Sequence, residues 1–329
     1  MMEVKKVGIV GVGKYLPRNV LTNADLEKMV DTSDEWIVSR TGIRERRIAS
    51  ENEATSDMAV KAAKDALKKA NMSAEDLDLI IVASITPDMF FPSTACLVQH
   101  KLGARRVPAF DISVACSGFI YGLTIANQFI KGGLYKNALV IAAEKMSGIT
   151  DWEDRGTCVL FGDGAGAAVL SRVDEGGILG SSLGADGSFG DLLQLPAGGS
   201  RMPASVKTVE NKLHTIKMEG NVLFKHAVKI MAEAALSVTE HLGLSADDIN
   251  LIIPHQANIR ILRAVAKKLG VDPDKKLYLN IDKYGNMSAA SSSVALAEAV
   301  EEGRIKKGDI VLMDAFGGGL TWGALVFKW

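Results

Sequence analysis

One segment of this chain is written twice. SAEDLDLIIV at 73–82 returns as SADDINLIIP at 245–254: a serine, an acidic turn and a short apolar run, matched in residue type at nearly every place. Repetition at long spacing constrains a fold more tightly than composition does, because each copy must build the same local unit. Both copies follow an amphipathic stretch, 57–70 and 221–242, so each reads as the same passage from helix to strand. A second echo pairs Phe161-Gly-Asp-Gly-Ala-Gly with Phe316-Gly-Gly-Gly-Leu-Thr, each leading into an apolar strand, 167–170 and 324–327. The order of elements recurs as well. A strand (109–114 or 277–281) runs through a small-residue turn into a helix (117–131 or 288–302), then into another strand (138–142 or 310–313).

Strands alternating with helices predict mostly parallel sheets covered by helices. Two copies predict two similar α/β halves, 1–174 and 175–329, packed on each other, with the Gly-, Ser- and Pro-rich stretch 174–217 as link and irregular insertion. A chain of 329 residues, 47% hydrophobic, buries a large core, which excludes a disordered or fibrous protein. Thirty-eight basic against 39 acidic residues leave a net charge of −1, so no global field favours nucleic acid or a membrane surface. The start, MMEVKKVGIVGVGKYLP, sets basic residues before an apolar run as a signal peptide would, but Gly8, Gly11, Gly13 and Pro17 interrupt it and it reads as a strand. No run reaches the roughly 18 consecutive apolar residues of a membrane span, so the predicted address is the cytoplasm. Three cysteines without C-x-x-C spacing fit a reducing compartment better than a disulfide framework or a zinc ribbon.

The glycine clusters invite a nucleotide-binding reading that fails on inspection. Gly11-Val-Gly13-Lys-Tyr-Leu16 lacks the third glycine of G-x-G-x-x-G and meets Pro17, so no helix N-terminus receives a pyrophosphate there. Gly162-Asp-Gly164-Ala-Gly166 runs into a strand, and no P-loop pattern occurs. The five histidines form no H-x-x-x-H or H-E-x-x-H pair, so no metal site is predicted.

Cys116 stands in Ser113-Val-Ala-Cys116-Ser-Gly118, at a passage from strand to helix, among small residues that leave a ligand room to approach. A helix N-terminus lowers a thiol's pKa and enriches the thiolate, which makes a nucleophile. From position alone a buried cysteine is more often a small hydrophobe, and Cys96 and Cys158 have only that reading. His255, in Ile252-Ile-Pro-His255-Gln-Ala-Asn258, follows the end of an apolar strand, where α/β sheets bind ligands; alone, such a histidine is more often solvated. Asn286, in Tyr284-Gly-Asn286-Met-Ser, again lies between strand and helix, the ordinary place of a turn or capping asparagine. The repeat changes their weight: three strand ends of a pseudo-symmetric pair would converge on one cleft.

VACSGF around Cys116, PHQANIRI around His255, YGNMSAAS around Asn286 and FGGGLTWGA at 316–324 resemble the β-ketoacyl-acyl-carrier-protein synthase III family, the initiating condensing enzymes of type II fatty acid synthesis. TSDEWIVSRTGIRERR at 32–47 and RGTCVLFGDGAGA at 155–167 extend the similarity over the whole chain. One departure is Met287, where the family more often has threonine; it bears on local packing.

The resemblance implies a thiolase-like duplicated α/β fold and a cytoplasmic homodimer. Cys116 would take an acyl group from acyl-coenzyme A, a substrate and not a resident cofactor, with acetyl-coenzyme A the expected starter. His255 and Asn286 would assist decarboxylation of malonyl-acyl carrier protein, and the carbanion would attack the acyl-cysteine. Backbone N–H groups of Cys116 and Gly318 would form the oxyanion hole, since glycine lets that backbone come close. Trp36 and Arg155 resemble the pair that sandwiches adenine, with Arg40 nearby and Asn221 facing the pantetheine arm. Phe91 resembles a residue that caps the partner's acyl pocket, and Phe161 is assigned to the acyl pocket as well. The stretch 258–269 places Arg260, Arg263 and Lys267 on one face, a docking candidate for an acidic carrier protein, with Ile261, Leu262, Val265 and Leu269 on the other. Two rivals remain: a same-fold ketosynthase with another starter or acceptor, and a catalytically silent acyl-thioester binding protein. A thiolase would need a second catalytic cysteine, and the C-terminal half has none.

Overall fold

The two repeats are locked by the same cap. In a computed structural model, which describes residues 6–329, Ser73 donates to Asp76 Oδ2 from its backbone N–H (2.7 Å) and its hydroxyl (2.8 Å); Ser245 does the same to Asp248 (2.8 and 2.6 Å). The first five residues of the signal-like start lie outside the described residues. The first sheet contains β1 (Val7–Tyr15), β2 (Leu79–Ala83), β3 (Ala109–Ile112), β4 (Ala138–Lys145) and β5 (Asp163–Arg172), in the order β1-β5-β4-β2-β3. The second contains β6 (Gly177–Ala185), β7 (Leu251–Pro254), β8 (Ile310–Gly317) and β9 (Thr321–Lys328), in the order β7-β8-β9-β6.

Three expectations need correction. The sheets are mixed: β2 runs parallel to β3 and β4, and β7 to β8, but β4–β5, β1–β5, β8–β9 and β9–β6 are antiparallel. The turn 318–320 is too short for a parallel crossover, which forces β8 and β9 into a hairpin. The strand expected at 277–281 shrinks to one bridge, Leu277 to Ile252, in the place where Ala109 of β3 pairs with Ile80. Just beyond it the Asn280 N–H donates to the Gln256 side chain (3.1 Å) instead of a strand, and Ile281–Tyr284 coils into a short helix. Finally, the predicted linker begins as a regular edge strand: β6 alternates between covered and exposed residues along its length, and irregular chain starts only after it.

Seven longer helices complete the layers: α1 (Asp34–Thr41), α2 (Thr55–Lys69), α3 (Thr94–Leu102), α4 (Gly118–Lys131), α5 (Gly220–His241), α6 (Ile259–Lys268) and α7 (Ala290–Glu301). Helices α2 and α3 cover the outer face of the first sheet, and α5 and α6 that of the second. Between the sheets lie α4 and α7, in one continuous core drawn from both halves. Two glycines, Gly166 at the end of the first copy of the second echo and Gly323 just past the second copy, explain how closely these helices approach. A Cβ on Gly166 of β5 would collide with Ser293 of α7, and one on Gly323 of β9 would come within 3.1 Å of Ile120 of α4. Each half's glycine strand therefore seats the other half's helix. No helix among the described residues is long and apolar enough to cross a membrane.

Candidate active site

The strand β3 reaches Cys116 through a sharp turn. Ala115 takes φ +44°, Ala115–Ser117 form a 3-10 turn, and α4 begins at Gly118. A left-handed non-glycine residue costs about 1–3 kcal/mol and survives where its surroundings fix it. Here Thr321 Oγ1 donates to Val114 O (3.1 Å) and Ser117 Oγ donates to Thr321 O (3.2 Å), tying the turn to β9. Gly317 closes over it, since a Cβ there would stand 2.6 Å from Cys116 N.

Cys116 is only 7% exposed, and this corrects the sequence reading of its acidity. Burial pushes the thiol up to about 12; the nearby Ser288 hydroxyl pulls the other way, and the charge of Glu144 raises it further. Desolvation of a fully buried group amounts to roughly 3–5 pKa units, against about 0.3–1 kcal/mol for a helix terminus, so the helix loses. At rest the sulfur is a thiol.

His255 follows the end of β7, and its backbone N–H donates to Asp314 O of β8 (2.7 Å). Its ring is buried, Nδ1 has no hydrogen-bond partner, and burial pushes its pKa down to about 3, so the imidazole is neutral. Asn286 is held by its backbone, donating to Leu160 O (2.9 Å) and accepting from Gly162 N (3.1 Å). Its Oδ1 accepts from Ser288 N (2.8 Å), which leaves Nδ2 as a donor. Ser288 takes φ +48°, so both halves enter their central helix through a left-handed residue. Met287 is fully buried, its backbone N–H donating to Ser291 Oγ (2.8 Å).

Cys116, His255, Asn286 and Ser288 line one cleft of about 1000 Å³, together with Gly317, Gly318, Trp36, Arg40, Asn221 and Phe161. Phe161 packs with Met146 and Ile216 in an apolar cluster. Arg155 does not line the cleft: its guanidinium lies 4.9 Å from the Trp36 ring centroid, with that of Arg40 at 5.7 Å, and it pairs with Asp31 at 3.4 Å. Phe91 is 85% exposed and stands outside its own chain's cleft, so it is no core aromatic. On α6, Ile261, Leu262 and Val265 are buried as expected, and Leu269, which caps the helix, is partly so. Arg260 lines the cleft and lies over Phe224; Arg263 pairs with Asp274 (2.9 Å), an acid supplied by the next short helix and invisible on α6 alone.

One residue that acts on the sulfur went unnoticed in the sequence: Glu144, whose charge raises the thiol. Glu144, next to last in β4, is fully buried, its Oε2 accepting from Thr86 Oγ1 (2.8 Å), Ile85 N (3.1 Å) and Ser84 Oγ (3.2 Å); burial pushes its pKa up to about 7. An acid at the end of the apolar run ALVIAAE was the available signal, because a buried carboxyl needs partners.

A family model described as 3-oxoacyl-[acyl-carrier-protein] synthase III matches residues 110–187, and one for the C-terminal part of the same family matches residues 239–329. The β-ketoacyl-[acyl-carrier-protein] synthase III of Caldanaerobacter subterraneus is 62% identical over 330 residues, 100% of this chain and 99% of that relative. The one of Clostridioides difficile is 59% identical, covering 98% of each. The crystal structure of 3-oxoacyl-[acyl-carrier-protein] synthase III from Aquifex aeolicus is 54% identical, with a TM-score of 0.91 over 98% of this chain and 100% of that one.

Proposed function

The chain belongs to the 3-oxoacyl-[acyl-carrier-protein] synthase III family, and from that premise we propose how its residues divide the work. It is a thiolase-fold acyltransferase that acts on acyl-carrier-protein substrates, in the condensation that initiates fatty acid synthesis. The observation that carries the assignment is the meeting of Cys116, His255 and Asn286, from both halves, in one cleft.

In our reading Cys116 Sγ attacks the carbonyl carbon of an acyl-coenzyme A, with acetyl-coenzyme A as starter. Coenzyme A leaves as the thiolate and is protonated by solvent. The backbone N–H groups of Cys116 and Gly318 stabilise the tetrahedral oxyanion. Malonyl-carrier protein then loses carbon dioxide, and His255 and Asn286 donate to the enolate oxygen. A neutral imidazole suits this role, because it donates a hydrogen bond without being acidic enough to quench the carbanion. The carbanion attacks the acyl carbon and expels Cys116. Phe161, Met146 and Ile216 would receive the acyl chain. Trp36, Arg40, Arg155 and Asn221 would hold coenzyme A; since Arg155 already lies on Trp36, adenine enters between them only as the guanidinium swings away.

We also propose a cytoplasmic homodimer of two-half protomers divided at residue 174, in which the exposed Phe91 caps the partner's acyl pocket. Its exposure supports this, since a large exposed aromatic marks an interaction surface. Three free cysteines agree with the reducing compartment.

The acidic carrier protein would dock on α6. Reversing charge at Arg263 and Lys267, which are exposed and lie outside the cleft, is expected to slow use of malonyl-carrier protein about tenfold or more at low salt while sparing acylation by acyl-coenzyme A, because rim charges act on encounter. Equal loss in both half-reactions, measured separately, would assign the helix to folding instead. The proposal as a whole is tested by offering a panel of acyl-coenzyme A donors to the intact protein, weighing the acyl-enzyme by mass spectrometry, and adding malonyl-carrier protein. Acylation followed by release of a β-ketoacyl-carrier protein is expected, and a protein that accepts no donor would be a binder, not a synthase.

A further inference from the structure

A buried polar path leads away from the nucleophile. Ser288 lines the cleft beside Cys116, and its hydroxyl acts on both Cys116 and Glu144, holding each below where burial alone would put it. It is buried and makes no hydrogen bond of good geometry, and Glu144 Oε1 is equally unpartnered. Two buried polar atoms left without partners near a nucleophile are costly unless they exchange a proton or a hydrogen bond during the working cycle. The other carboxylate oxygen is fixed by three donors, from Ser84, Ile85 and Thr86, so the free oxygen is the one left to act.

We propose that Glu144, acting through the Ser288 hydroxyl, takes the proton from the Cys116 thiol as acyl transfer begins and returns it when condensation expels the thiolate. This rests on the acyl-transfer reading above. The thiol proton passes to Ser288 Oγ as the Ser288 proton passes to the carboxylate. The sulfur then forms its bond to the acyl carbon, and the carbon–sulfur bond to coenzyme A breaks. After decarboxylation the new carbon–carbon bond forms, the bond from the acyl carbon to Cys116 breaks, and the carboxyl proton returns along the same path to the thiolate. One proton is taken from solvent per cycle, by coenzyme A.

The surrounding charges support a pair that holds one proton between its members. Burial raises both groups, and the charge of Glu144 raises Cys116 further, so the doubly ionised state is disfavoured. Lys145, next in the chain, turns its ammonium to the carbonyls of Ser50, Glu51 and Glu53, and Asp163, its partner on β5, accepts from Ser147 and Ala49. Both face elsewhere.

The test is the pH profile of Cys116 modification, by acetyl-coenzyme A in a single turnover and by iodoacetamide, each weighed on the intact protein. In the parent the rate should rise through about pH 7 as Glu144 ionises and then level off. Glu144→Gln should lose that inflection, climb about tenfold per pH unit as a lone thiol does, and react on the order of a hundredfold more slowly near neutrality. Glu144→Asp should restore part of the plateau, which a purely packing role would not predict. Superimposable profiles for a folded Glu144→Gln protein overturn the relay. If Glu144→Gln fails to fold, Ser288→Ala carries the test: loss of the plateau supports the path and an unchanged profile overturns it. Failure of acetyl-coenzyme A to acylate would count against the synthase reading alone, because the iodoacetamide profile still decides the relay.

Discussion

Replacing Cys116 with alanine abolishes acylation and lowers turnover by on the order of a millionfold, the scale on which an enzyme loses a nucleophile that works as one unit with its neighbours. No other thiol can take its place. Cys96 lies at the start of α3, its sulfur toward Ala109 O at 3.6 Å, outside the cleft. Cys158 is buried in a separate apolar cluster with Leu26, Ile37 and Ile43, and burial, with Asp154 nearby, pushes its thiol up to about 11. Peptide mapping after treatment with acetyl-coenzyme A should find the acyl group on Cys116 alone in the parent and on no cysteine in Cys116→Ala. An acyl group on Cys96 or Cys158 would sink the assignment.

The second large effect separates the two half-reactions. Acyl transfer uses the sulfur and backbone donors, which a side-chain change at position 286 leaves in place. Decarboxylation builds negative charge on the malonyl thioester oxygen, and loss of one preorganised donor typically costs on the order of a hundredfold to a thousandfold. Asn286→Ala should therefore still be acylated at Cys116 while losing condensation by that factor. The amide is poised for this, because Ser288 N–H occupies Oδ1 and leaves Nδ2 to donate. His255→Ala should behave alike. The depressed pKa of His255 keeps its ring neutral above about pH 3, so mild acid does not change its charge. Single-turnover acylation and release of labelled carbon dioxide are measured on each variant. A folded Asn286→Ala protein that decarboxylates malonyl-carrier protein at the parent rate would end this division of labour.

What could be read from the chain was whatever repeats or whatever a motif fixes in order. The capped turns at Ser73 and Ser245 announced the duplication, and the placement of Cys116, His255 and Asn286 after strand ends brought them to one cleft. What depends on packing could not be read. Helix-end electrostatics are a local property of sequence, whereas the burial that overrides them at Cys116 comes from chain folded over it, Gly317 included, about 200 residues away. The lost strand at 277–281 turns on a side chain, Gln256, standing in for backbone, which no alternation of apolar residues encodes. Asp274 neutralises Arg263 from another helix for the same reason.

The crossed seating of the two central helices bears on how such a protein could arise. Gly166 of the first half receives α7, and Gly323 of the second receives α4, so each helix is kept dry on one side by the opposite sheet. A lone ancestral half would have had to find a second copy to cover its helix, and its folding would have depended on concentration. Tandem fusion removes that dependence and also lifts the demand that the copies stay identical. One copy now carries a sulfur at its helix entrance, the other an amide and an imidazole, an asymmetry that a symmetric pair of identical chains has no means to encode.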